Sequence, residues 1–237
     1  MNLVLLFSHE INSNNIAVIS DERRLKHILS VHNIAVGDTL KAGVLNGNMG
    51  RARVLAVSEQ QIELDCSELS EAPPKALPVT VILGLPRPKM LKRILQTIAT
   101  LGVKKLYLIH SYRVEKSYWQ TPFLKDEAIR EQLLLGLEQG CDTLLPEVHL
   151  IKRFKPFVED ELPSIVLNTQ ALVAHPYTAI DCPREQTGPI TLAIGPEGGF
   201  IPYEIDLLTK TGFQAVTLGP RILKVETAVP YLLSRLF

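Results

Sequence analysis

Charge of a prevailing sign is missing from this chain: 25 Lys and Arg stand against 25 Asp and Glu, for a formal net charge of zero. A chain without a net field steers a polyanion weakly, so any nucleic-acid contact has to rest on local basic clusters. Cysteine is scarce too. Cys66, Cys141 and Cys182 are odd in number and scattered, with no C-x-x-C pair. That argues against a disulfide framework or a zinc site and fits a reducing cytoplasm. The histidines (His9, His27, His32, His110, His149 and His175) show no metal-ligand spacing. No apolar run approaches the roughly 18 residues of a membrane span. Met1 to Phe7 is apolar but short, without a basic flank or cleavage site, and reads as a first strand rather than a signal peptide. Repeats and low-complexity tracts are absent. So are G-x-G-x-x-G after a strand, G-x-x-x-x-G-K-[ST] and the G-x-S-x-G elbow. A cofactor in this protein must therefore be held in some other way.

What is present is a core: hydrophobic residues make up 46% of 237 positions, enough for one large or two small domains. Residues 1–72 predict a small β-rich domain. Asp21 to Val31 carries Leu25, Ile28 and Leu29 at helical spacing. Thr39 to Leu45, Arg51 to Val57 and Ile62 to Cys66 predict a meander, with Asn46-Gly47 as a hairpin turn. A barrel is the natural closure, because it removes exposed edges. Ser70 to Pro78 holds three prolines and reads as a linker. From Val79 onward the character changes. Val79 to Leu85 and Lys105 to His110 are apolar strands. Between them Pro88 to Leu101 is a helix with Leu91, Ile94, Leu95 and Ile98 inward and Lys89, Lys92 and Arg93 on the other side. Leu124 to Gln139 predicts a second helix, and Ile165 to Leu167 and Ala171 to Ala174 are further short apolar runs. Alternating strands and helices give an α/β domain with a parallel sheet.

The most informative stretch is Ile190 to Phe237. Thr191 to Ile194 is a buried-strand run that enters Gly195-Pro196-Glu197-Gly198-Gly199. Ile201 to Lys210 predicts a helix, and Phe213 to Leu218 a second strand that enters Gly219-Pro220-Arg221. The last helix carries Val229, Leu232, Leu233 and Leu236 in one stripe. Two strands thus each end in a glycine-containing loop. Ligands of parallel sheets sit at the carboxyl ends of strands, and glycines let a backbone approach a ligand closely. Ordinary βα turns would use glycine as well; the pairing of the loops favours a site.

Ile194-Gly195-Pro196-Glu197-Gly198-Gly199-Phe200, together with Leu218-Gly219-Pro220-Arg221-Ile222-Leu223-Lys224-Val225-Glu226-Thr227-Ala228, resembles the ribosomal RNA small subunit methyltransferase E family, of the SPOUT class. The resemblance implies a trefoil-knotted C-terminal α/β domain over residues 73–237 and a PUA-like, RNA-binding β-barrel over 1–72. It also implies a cytoplasmic homodimer without metal, and S-adenosylmethionine-dependent N3-methylation of a uridine in 16S rRNA. The cofactor residues it implies begin with Leu172, Ala174 and His175 on a third strand end. They continue with Ile194, Gly195, Pro196, Glu197, Gly198 and Gly199, then Leu218, Gly219, Ile222, Leu223, Glu226, Thr227 and Ala228. Arg87, Lys89, Arg93, Arg113, Lys116 and Lys224 would meet RNA, and Arg221 and Glu197 are the catalytic candidates.

Each candidate has a plainer alternative. His175 fits a pocket loop or a surface histidine before a proline equally well. Glu197 and Glu226 suit either a base for the uracil N3 proton or bonds that hold the loops in shape; at a helix start, capping suits Glu226 better. Arg221 would contact phosphate or brace the knot. Arg113, Lys116, Tyr118 and Trp119 form a basic-aromatic cluster suited to single-stranded RNA, unless Trp119 is simply part of an interface. The family's charged pattern is broken at Asn33, Thr97, Thr100, Asp142 and Lys224, whereas the glycine loops are intact. Those departures support a second reading, a divergent paralogue that binds cofactor or RNA without methylating rRNA, or acts on another RNA. A small-molecule methyltransferase is a third, for which the N-terminal domain has no obvious use.

Overall fold

The computed structural model describes residues 2–32, 34–178 and 180–237, so Asn33 lies outside the described residues. Contacts divide the chain into two compact units, Met1–Lys75 with Leu133–Leu145, and Ala76–Gln132 with Pro146–Phe237.

The first unit contains β1 (Val4–Leu6), β2 (Ile16–Ile19), α1 (Glu22–His32), β3 (Thr39–Val44), β4 (Met49–Val57) and β5 (Ile62–Asp65). Its sheet runs β1-β3-β4-β5-β2, parallel between β1 and β3 and antiparallel elsewhere. Period-two alternation turns Leu40, Ala42, Ala52, Val54, Ile62 and Leu64 to one face. The two end strands share that same core through Val4, Leu6, Ala17 and Ile19, which requires the sheet to curl around it. Asn46 takes φ 59 in the hairpin, and the Gly47 N–H closes the turn on the Val44 carbonyl at 2.8 Å. Buried Arg24 donates to Glu10 Oε1 and to the Leu5 carbonyl, both at 2.5 Å, and these bonds replace lost hydration. The 133–145 segment joins this unit by backbone bonds from Leu3 N–H to the Glu138 carbonyl and from Asn46 N–H to the Thr143 carbonyl. Asp142 is 3% exposed there, and its Oδ1 accepts the Leu144 N–H at 2.9 Å.

The second unit contains β6 (Val79–Gly84), α2 (Pro88–Thr100), β7 (Lys105–Ile109), α3 (Asp126–Gly140, which runs on into the first unit) and β8 (Glu147–Ile151). Next come α4 (Phe154–Pro156), a π-helical turn at Phe157–Glu161, α5 (Leu162–Val166), β9 (Gln170–Ala174), β10 (Ile190–Ile194), α6 (Pro202–Lys210), β11 (Gln214–Val216) and α7 (Val225–Leu236). Its sheet runs β11-β9-β10-β6-β7-β8, and every pair in it is parallel. Helices cover both faces of such a sheet, which is why β6 and β10 are apolar almost without alternation. The Val229, Leu232, Leu233, Leu236 stripe of α7 is buried within this unit, where α7 packs on α2.

The sequence reading leaves two segments unassigned. Ile165 belongs to α5 and Leu167 is exposed beyond its end, because the apolar run is used as a helix face on Phe157 and Leu162 rather than as a strand. β8 carries no strand signature of its own; it is an edge strand, and Glu147 and Leu150 remain exposed. The connection 175–189 is tied to chain that follows it: His175 N–H to the Val216 carbonyl, Cys182 N–H to the Thr217 carbonyl and Gln186 N–H to the Leu236 carbonyl.

Candidate active site

The sheet order sets β11, β9 and β10 side by side, so three strand ends open onto one place. The segments that leave them, 174–177, 194–200 and 216–223, line a cavity of about 260 Å³ with Val225, Ala228 and Leu232 of α7.

The loop after β10 is shaped by what glycine permits and by bonds from elsewhere. Gly199 has φ +72, and its N–H closes a turn on the Pro196 carbonyl at 2.7 Å. A Cβ on Gly195 would stand 2.9 Å from the Phe200 nitrogen, so this position admits no side chain without moving backbone. Glu197 Oε1 accepts the Arg87 N–H at 3.0 Å. The Arg113 guanidinium donates from Nη1 to the Gly198 carbonyl. Behind the loop, Glu204 in the first turn of α6 accepts two backbone N–H groups, Ile201 at 3.0 Å and Tyr112 at 2.7 Å.

The loop after β11 is built differently. Thr217 Oγ1 donates to the Gly219 carbonyl at 3.1 Å, and Gly219 takes φ +107. Beyond it Arg221 is exposed and Ile222 is 71% exposed, although both line the cavity. Lys224 is the N-cap of α7.

Twelve of the expected cofactor residues lie in the cavity wall: Ala174, His175, Ile194 through Gly199, Leu218, Ile222, Leu223 and Ala228. Leu172 is set back in β9 and fully buried, and Gly219, Glu226 and Thr227 are not part of the wall. Both catalytic candidates, Glu197 and Arg221, line it, and so does Arg113. The wall also includes Pro176, Tyr177, Val216, Thr217 and Leu232, which lie outside the two motifs, and Phe200 and Val225, which lie within them but are not among the expected cofactor residues. The i, i+3, i+7 spacing of Val225, Ala228 and Leu232 on one helix face was the available signal.

Arg87, Lys89, Arg93, Lys116 and Lys224 are exposed and stand outside the cavity wall. Lys92 is engaged with the Phe123 ring, 4.0 Å from its centroid. Trp119 is half-buried and donates its indole N–H to His110 Nδ1 at 2.8 Å, which ties its ring into the protein. Burial lowers the His175 pKa from its ordinary value, and the ring meets Tyr177 edge-on with centroids 5.6 Å apart. Among the described residues, no three His, Cys, Asp or Glu could hold a metal, and no helix is long and apolar enough to cross a membrane.

The RNA methyltransferase domain family model matches residues 73–237. Over 236 residues the chain is 28% identical to ribosomal RNA small subunit methyltransferase E of Treponema pallidum, covering 96% of this chain and 87% of the relative. It is 24% identical to ribosomal RNA small subunit methyltransferase E 1 of Borreliella burgdorferi, covering 96% and 94%. Among solved structures, ribosomal RNA small subunit methyltransferase E of Neisseria gonorrhoeae, bound to S-adenosyl methionine, superposes with a TM-score of 0.75 at 22% identity. That likeness covers 98% of this chain and 95% of that one, and it shows the same fold. With the family model spanning more than half the chain and the paired glycine loops in place, the chain belongs to the RNA methyltransferase domain family, within the ribosomal RNA small subunit methyltransferase E group.

Proposed function

We propose that the chain methylates N3 of a uridine in 16S rRNA with S-adenosylmethionine, as a cytoplasmic homodimer. The observation that carries this reading is the convergence of three parallel strand ends on one cavity lined by the glycine loop 195–199 and by apolar residues of β10, β11 and α7. The wall fits the cofactor. Ile194, Val216, Leu218, Leu223 and Leu232 offer apolar contact for a planar adenine, and the turns at 195–199 and 217–219 offer backbone N–H and C=O groups for its polar edges. When bound, the cofactor supplies a methyl group on a positively charged sulfur.

The chain's own contribution is chiefly positioning. Methylation at N3 requires the N3 proton to leave. Glu197 offers Oε2 for it, since Oε1 is engaged by the Arg87 N–H. Arg221, exposed at the cavity, is placed to orient the nucleotide by its phosphate. Arg87, Lys89, Arg93, Lys116 and Lys224 add exposed positive charge for phosphates.

The N-terminal unit supports RNA binding in its own way. On the exposed face of the β3–β4 ladder Lys41 stands directly opposite Arg51, with Arg53 two residues on. Like charges so placed repel, and a phosphate between them relieves that. Exposed Tyr231 on α7 offers a second copy an aromatic contact. Three free, dispersed cysteines suit a reducing compartment. Asp142 speaks for a turn role at that departure rather than a changed RNA contact, because it is buried and bonded to its own turn.

The test is transfer of labelled methyl from S-adenosylmethionine to 30S subunits, to free tRNA and to buffer alone, with nucleoside analysis of the product. Label in N3-methyluridine of 16S rRNA is expected. Label only in tRNA, or none, overturns the reading.

A further inference from the structure

The geometry points to Glu204 as a positioning residue: through the Tyr112 N–H it presents Arg113 to the Gly198 carbonyl, and so sets the cavity wall at 195–199. The inference rests on the reading of that cavity as the cofactor site.

Glu204 is 2% exposed, in the first turn of α6. A carboxylate there often closes a capping box, and Oε2 does so by accepting the Ile201 N–H. One oxygen is enough for that. Oε1 reaches off the helix and accepts the Tyr112 N–H at 2.7 Å, 92 residues away in sequence. Burying a carboxylate is costly unless donors replace its water, and two charge-assisted bonds do so here. The Tyr112 side chain itself is exposed, so what is held is its backbone.

Arg113 comes next in the chain. Its Nη1 donates to the Gly198 carbonyl, and its aliphatic stem lies over the same glycine, where a Cβ would stand 2.9 Å from Arg113 Cδ. The absent side chain at 198 admits Arg113, and the anchored N–H at 112 aims it. Residues 112–113, 198 and 201–204 thus form a closed circuit around the start of α6. A flexible arginine that must be held in one geometry gains most from such an anchor beside its own backbone.

The test is a double-mutant cycle on the full chain with Glu204→Gln, Arg113→Ala and the pair. Each single change is expected to weaken S-adenosylmethionine binding, read by calorimetry, by roughly tenfold. The pair should be no weaker than Arg113→Ala alone, because both remove the same support. In steady state Glu204→Gln should raise the cofactor KM while its kcat at saturation stays within about twofold. Amide exchange measured without any cofactor should quicken at Gly199 in both single variants. If Glu204→Gln does not fold, Glu204→Asp enters the cycle, since it keeps the charge one methylene further back. Additive losses in the pair, or unchanged exchange at Gly199, overturn the inference and leave Glu204 a helix cap. A wild-type protein that binds no S-adenosylmethionine would defeat the cofactor reading instead, and the exchange comparison would still decide the role of Glu204.

Discussion

The loop after β10 and the loop after β11 line the same cavity, yet other segments reach in to hold the first, while the second projects outward past Gly219. Glu197 and Gly198 receive bonds from Arg87 and Arg113. Arg221 and Ile222 are exposed side chains at the corresponding place in the second loop. A wall held from outside loses little freedom when a ligand arrives, whereas a projecting loop must be ordered by what it binds. The first loop is accordingly suited to the small molecule. The second lines the same cavity through Val216, Leu218 and Leu223, and only its tip at Arg221 and Ile222 projects from it.

The largest break in this contrast should come at Gly195. Gly195→Val would drive side-chain carbon into the Phe200 nitrogen and the Gly199 backbone, neither of which can swing aside. S-adenosylmethionine affinity should fall by more than about a hundredfold, and stability by about 1–3 kcal/mol; calorimetry and thermal melting read the two. Gly198 sits in the same loop but meets only a side chain. Gly198→Ala should displace Arg113 and cost about tenfold in affinity, matching Arg113→Ala within error. A much greater loss in Gly198→Ala than in Arg113→Ala would mean that position 198 faces the ligand directly.

Gly219 tests the other loop. It has φ +107 and no atom within 4 Å of a built Cβ, so Gly219→Ala meets strain without collision. The cost should be about 1–2 kcal/mol of stability, with cofactor affinity changed by less than about threefold. A loss as great as that at Gly195 would erase the distinction between the loops.

The smallest effect belongs to pH. Burial lowers the His175 pKa, so between that value and the ordinary 6.5 the unfolded chain binds more protons than the folded one. Stability should therefore rise with pH through this window and decline as pH falls below 6.5. Protonated His175 would also set a positive charge in the wall of a cavity that would take a cofactor carrying its own positive charge. Affinity should drop in acid by only a few-fold, because the ring is partly solvated, and His175→Gln should flatten the profile. Calorimetry across the window, at constant ionic strength, measures it.

Much of this architecture was legible because its signals are local. The apolar run Thr191 to Ile194, the glycines that follow it, the stripe on the last helix and the Asn46-Gly47 turn each declare themselves within a dozen residues. The sequence was least informative where packing and hydrogen bonding decide what a side chain does. Ile165 looks like part of a strand until Phe157 and Leu162 claim it for a helix face. Trp119 reads from sequence as part of a basic-aromatic cluster, and the sequence holds no sign that His110 accepts its indole N–H. Asp142 stands where the family places an arginine that would face RNA, but its carboxylate is turned inward onto Leu144.

Sequence alone determined the class of this protein. Two strand-ending loops with their glycines intact resemble one family closely enough to be recognised without coordinates, because the resemblance is carried by the order of residues along the chain. It also determined most of the cavity wall, since wall residues follow strand ends. Only the tertiary structure decided how that wall is held. The order β11-β9-β10 brings together strands that are not consecutive, and the braces from Arg87, Tyr112 and Arg113 cross 85 to 110 residues of chain. Hydrogen bonds between a side chain and a backbone group so far away leave no trace in local composition, because any residue but proline can supply a backbone N–H and any residue a backbone carbonyl.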